Sequence, residues 1–164
     1  MSQRWLRTYL KDHYSAATGG VELFRRVAGS HGDPQVREAV CAVADEVDTD
    51  RLALRQFMRA VGAHPSRLGQ ALAWSGEKVG RLKPNGTLVR RSPLTDVVEL
   101  EALSVAVEGK LRGWRMLLAL AETDQRLDAE LLTELVGRAE RQRERLERLR
   151  LRVGTRVLSH TGAG

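Results

Sequence analysis

The chain has 164 residues, 42% hydrophobic and 29% charged, with a formal net charge of +6 at pH 7. That composition fits one soluble globular domain long enough to bury a core, and no apolar run approaches the roughly 20 residues of a membrane span. A lone cysteine, Cys41, excludes an internal disulfide and a cysteine-based zinc site; its expected place is a half-buried core position.

The first helix is expected from Arg4 to Ala28, with Leu6, Leu10, His13, Ala17, Gly20 or Val21, Phe24 and Val27 recurring on one face. Gly29 to Gly32 is expected to end it. The first twelve residues mix Arg4, Arg7, Lys11 and Asp12 with apolar residues and lack the apolar centre of a secretion signal, so the expectation is a cytoplasmic protein with no membrane contact. Asp33 and Pro34 then open a second helix, 34–61, by pairing a capping side chain with a proline suited to the first turn. Its inward stripe is Val36, Val40, Val43, Val47, Asp50, Leu54, Phe57 and Val61. The short turn makes the two helices antiparallel neighbours.

About 30 residues separate Gly62 from Ser92, enough to travel the length of a bundle. A short crossover helix is expected over 65–82, weakened by Gly69, Gly76 and Gly80, followed by turn chemistry at Lys83-Pro84-Asn85-Gly86. Arg67, Lys78, Arg81, Lys83, Arg90 and Arg91 stand there against Glu77 alone. Ser92 and Pro93 open the third helix, 93–121, with Val97, Leu100, Leu103, Val107, Leu111, Trp114, Leu118 and Ala121 on its inner face. A helix about 40 Å long is not stable alone and needs partners of similar length. A tight reversal at 122–124 leads to the fourth, 125–158, whose inner positions are Leu131 or Leu132, Leu135, Ala139, Gln142, Leu146, Leu149 and Val153. Residues 159–164 are expected to fray. The whole, 1–164, reads as one domain.

Two antiparallel helical hairpins joined by a long crossover that holds a short extra helix define an all-α, antiparallel four-helix bundle. By helix order and loop lengths over nearly the whole chain, it resembles the ferritin-like superfamily. The polar exceptions inside the stripes carry the remaining information. His13, Asp50 and Gln142 lie well inside helices, with Glu46 and Glu108 at stripe edges. Counted from the turns, the four helices bring these groups to one level near mid-bundle. There the resemblance implies two metals held by a carboxylate on the first helix, Glu-x-x-His on the second, Glu on the third and Glu-x-x-His on the fourth. Glu46-Val47-Asp48-Thr49 keeps the glutamate and has threonine in place of the imidazole; Glu140-Arg141-Gln142-Arg143 keeps the glutamate and has arginine. Both motif histidines are missing, so the motifs are degenerate.

Three readings of this layer follow. In the first, His13 donates to Asp50, and Gln142 or Ser104 completes a buried hydrogen-bonded set that fixes helix register. In the second, His13, Glu46, Asp50, Glu108 and Glu140 hold an atypical metal site, with iron, manganese or zinc as the metals such an oxygen-rich set would take. In the third, a small organic ligand sits in the bundle core.

The functional expectation is a non-enzymatic or functionally degenerate bundle with no cofactor, acting through its surface as a homo-oligomer, a dimer, or with a protein partner. One alternative is a metal-binding oxidase or iron-handling protein. Another is a nucleic-acid or acidic-partner module using the basic crossover, with Trp74 for stacking. Against the last stand the absence of any recognised motif and a coding bias that writes arginine for lysine, with only four lysines, one asparagine and no isoleucine. The helices also place acids early and bases late, as the helix dipole favours, which makes nucleic acid the least expected partner. No Ser/His/Asp arrangement and no phosphate-cradling glycine loop occurs.

Overall fold

A computed structural model describes residues 2–65 and 92–159. The expected crossover helix, the basic cluster from Arg67 to Arg91 and the tail from 160 onward lie outside the described residues. The two capping devices form as their residues dictate. Asp33 accepts the N–H of Gln35 at 2.9 Å, and Ser92 accepts that of Leu94 at 3.3 Å, each with a proline in the first turn behind it. Four helices result: α1 Ser2–Ser30, α2 Pro34–Ala60, α3 Pro93–Ala121 and α4 Ala129–Ser159. Among the described residues there is no strand, and no helix is long and apolar enough to cross a membrane.

The first helix ends inside the expected break, 29–32, whereas the last begins later than expected. Helix α1 runs through Gly29, and the residue that ends it is His31, whose N–H still reaches Val27 O at 2.9 Å. The His31 imidazole is wholly buried and accepts the Asp33 N–H on Nδ1 at 3.1 Å, while its carbonyl accepts from Arg37 at 2.9 Å. A side chain, not a glycine, therefore organises this turn. Helix α4 starts four residues later than expected because two aspartates divert the backbone. Asp124 accepts the N–H and the guanidinium of Arg126 at 3.2 and 2.8 Å, and Asp128 takes the cap by accepting the Leu131 N–H at 3.0 Å. This longer turn tucks Leu127 into the core at 3% exposure. At the end of α2, Gly62 adopts φ +69, the left-handed value that glycine reaches without strain.

Helix α1 packs mainly on α2, and α3 mainly on α4; lesser contacts join α1 to α3 and α2 to α4. Along the first pair, Arg7 donates to Val61 O at 2.9 Å, Arg51 to the Tyr14 hydroxyl at 3.2 Å, and Arg25 to Asp48 at 2.7 Å. The interior divides into two apolar clusters. One holds Leu10, Tyr14, Leu54, Phe57, Leu111, Trp114 and Leu135; the other is rich in valine, with Phe24, Val40, Val47, Leu103, Val107 and Leu146. Cys41 is exposed, contrary to the core position expected of it.

Candidate functional site

Between the clusters lies a polar layer built from three helices. On α2, Asp50 comes three residues after Val47 and four before Leu54, so the helical repeat forces it into the same buried stripe. Gln142 occupies the equivalent place on α4 between Ala139 and Leu146. Both side chains are fully buried, and a buried carboxylate needs a cation and several donors to offset its lost hydration. Lys110 supplies the cation from α3. Its Nζ donates to Asp50 Oδ2 at 2.5 Å and also to Gln142 Oε1. Arg138 of α4 donates to Asp50 Oδ1 at 2.8 Å. The Gln142 amide donates to Glu46 Oε2 at 3.0 Å and to Asp50 Oδ2 at 3.3 Å, and Arg145 closes the rim on Glu46.

The electrostatics follow from burial. Desolvation pulls the Lys110 ammonium below its usual range, opposed by the charge and hydrogen bond of Asp50. At Glu46 burial resists ionisation, but the hydrogen bonds of Arg145 and Gln142 outweigh it and hold the carboxyl below the ordinary glutamate range. Each carboxylate in the layer therefore accepts from more than one cation or amide, while on the donor side the buried Nε of Arg145 has no partner.

The structure brings together two of the five expected ligands, Glu46 and Asp50, and separates the others. His13 does not donate to Asp50. Its ring lies 4.3 Å from that of Tyr9, against Gly113 of α3, where a Cβ would stand only 3.0 Å from its Nδ1. Burial pulls this imidazole below its usual range, with Asp12 opposing. Glu108 is drawn to Arg112 at 2.9 Å and Arg143 at 3.6 Å, and Glu140 to Arg115 at 2.7 Å. Ser104, the other candidate for the buried set, donates to Leu100 O at 2.9 Å. Among the described residues no three His, Cys, Asp or Glu side chains converge as metal ligands would. A dication at Asp50 would have to displace an ammonium and a guanidinium, so the residues present do not fit the metals that the ferritin-like pattern implies. For the small-ligand reading, the polar groups such a ligand would meet at Asp50 are already bonded to it: Lys110, Arg138 and Gln142.

Lys110, Arg138 and Arg145 are the members that sequence reasoning missed, because each lies among the late-helix bases that the helix dipole already explains. A signal was present. Leu103, Val107, Lys110, Trp114 and Leu117 follow a strict four-three spacing, and Arg138 and Arg145 flank Gln142 at one turn's distance. The basic cluster Arg67, Lys78, Arg81, Lys83, Arg90 and Arg91 lies outside the described residues. With Glu77 it accounts for all but one unit of the chain's net charge of +6, so the described helices are nearly neutral.

No protein-family model matches the chain, and comparison with curated proteins and with solved structures returns no match.

Proposed function

We propose that the chain is a non-enzymatic helical bundle of ferritin-like connectivity, with antiparallel helix pairs, whose polar layer sets helix register and whose role is carried by its surface through self-association. The observation that carries this reading is the convergence of Lys110 and Arg138 on Asp50, with Arg145 on Glu46, at the level where a ferritin-like protein would place its metals. Cations already neutralise the carboxylates that a redox metal would need. Support for the connectivity comes from the packing: the backbone of α1 lies against α2 and α3 and that of α4 against α2 and α3. Among the described residues no backbone approach joins α1 to α4 or α2 to α3, the latter two meeting through side chains such as Lys110 on Asp50. That is the arrangement expected when a long link carries the chain diagonally between two helix pairs. Elemental analysis of protein purified without chelators, followed by titration with iron(II), manganese(II) and zinc(II), tests the reading. The expected result is less than stoichiometric metal and an unchanged melting temperature. A stoichiometric metal that raises the melting temperature overturns it.

A further inference from the structure

Helix α3 exposes more large apolar side chains than any other helix among the described residues, four against one on α1, one on α2 and two on α4. Its inner face is buried as described, yet its outer face exposes Val105 at 73%, Met116 at 52%, Leu94 at 51% and Leu120 at 37%. The corresponding face of α4 carries Arg141, Glu144, Arg148 and Arg152, with Leu151 and Leu158 as its exposed large apolar residues. A helix apolar all round is ordinarily covered all round. The charges on and beside this face are paired within the chain and still reach solvent: Arg112, 76% exposed, pairs with Glu108 at 2.9 Å, Arg115 with Glu140 at 2.7 Å, and Glu101, 52% exposed, with Arg150 at 3.5 Å.

The residues placed along this face, not their spacing, bear on what covers it. Leu94, Val98, Ala102, Val105, Gly109, Arg112, Met116 and Leu120 are separated by 4, 4, 3, 4, 3, 4 and 4 residues, a series that reads the same in either direction about position 107. Any helix face repeats at three and four residues, so a two-fold axis at that level, the symmetry of most homodimers, lays this face on itself position for position. In an antiparallel pairing of two copies of α3, Val105 falls opposite Gly109, Val98 opposite Met116, and Ala102 opposite Arg112. Nothing lies within 4 Å of where a Gly109 side chain would begin, so the glycine is an open hole for the opposing valine. Charge agrees with the same direction. The exposed Glu101 belongs to the first half of the helix and the exposed Arg112 to the second, so only an antiparallel pair sets Glu101 beside the other copy's Arg112.

We infer that a second copy of this chain docks on the outer face of α3, forming a two-fold antiparallel helix pair centred near Val107. The inference rests on the self-association proposed above and names its surface. Sedimentation equilibrium of the full chain across the micromolar range is the test, with two variants that leave the monomer's core untouched. Val105→Glu places a charge twice at the interface, and Gly109→Leu fills the hole without adding charge. A dimer that each variant weakens by about 100-fold supports the assignment. So does a disulfide-linked dimer formed on oxidation of Val105→Cys/Gly109→Cys in a Cys41→Ala background. A dimer unaffected by either variant overturns this surface while leaving self-association standing. A chain that is monomeric throughout overturns both; thiol labelling of Val105→Cys then tells whether residues 66–91 of the same chain cover the face or nothing does.

Discussion

At the scale of single residues, the weight of the polar layer falls unequally on its members, and mutation will show the order. Asp50 has three donors and no exposure, so Asp50→Ala leaves Lys110 and Arg138 without their carboxylate. Breaking a buried pair in that way costs about 3–5 kcal/mol. Lys110→Met removes one donor, but Asp50 keeps Arg138 at 2.8 Å and Gln142 at 3.3 Å; the expected loss is smaller, about 1–3 kcal/mol. Urea unfolding of the two variants beside the parent checks the ranking, and equal losses would contradict it. Glu46 sets a pH dependence. Its carboxyl is held below the ordinary range by Arg145 and Gln142 against the opposing pull of burial. The ionised form is thus favoured in the folded state, and its contribution is complete above the unfolded glutamate pKa, about 4.3. It fades as pH falls from there through the lower folded value. Glu46→Gln should therefore lower stability at neutral pH and flatten the acid limb of the stability curve below that point, as measured by denaturant melts at stepped pH.

At the scale of helices, contact between α1 and α3 depends on a missing side chain. Gly113 sits mid-helix, where alanine would ordinarily be better by about 1 kcal/mol. The His13 ring occupies the space a Cβ would take, at 3.0 Å from both Nδ1 and Cε1. A ring wedged between helices cannot retreat as a flexible chain end would. Gly113→Ala should therefore destabilise by about 1–3 kcal/mol, whereas in a His13→Ala background the same change should be neutral or stabilising. The double-mutant cycle measures this directly, and additivity would refute it. The same pair shows what was legible in the sequence. The apolar stripe of α2 from Val36 to Val61, the proline-led starts of α2 and α3 and the intrusion of Asp50 and Gln142 into the core all follow from spacing and local chemistry. The partner of Asp50 did not, although Lys110 stood in a four-three series. A long aliphatic stem can carry a charge inward from a stripe edge, and periodicity alone does not say which way it turns. His13 stood on a stripe too, but its reach is short and the glycine opposite offered it a place outside the layer. His31 was hidden for another reason: a turn held by a buried imidazole looks in sequence like an ordinary Gly-Ser-His-Gly break.

At the scale of the molecule, the layer separates two cores of different character, one of leucines and aromatics and one rich in valine. Apolar helix faces built from repeated leucine or valine can slide by a turn with little change in buried area, so uniform packing leaves register weakly specified. Asp50 on α2, Lys110 on α3 and Gln142 on α4 remove that freedom, because a shift of either helix pair by one turn would bury a charge without its partner. Stability and specificity then separate. Replacing all three at once, Asp50→Leu with Lys110→Met and Gln142→Leu, removes the desolvation cost together with the bonds that offset it, and Arg138 can turn outward from its 28% exposure. The triple variant should be no less stable than the parent, within about 2 kcal/mol or better. It should also lose the single native arrangement, giving a broader melt and doubled amide resonances for residues flanking positions 50, 110 and 142. A triple variant that melts sharply with one set of resonances would show that the loops and caps suffice to set register, and the polar layer would then need a different reason to exist.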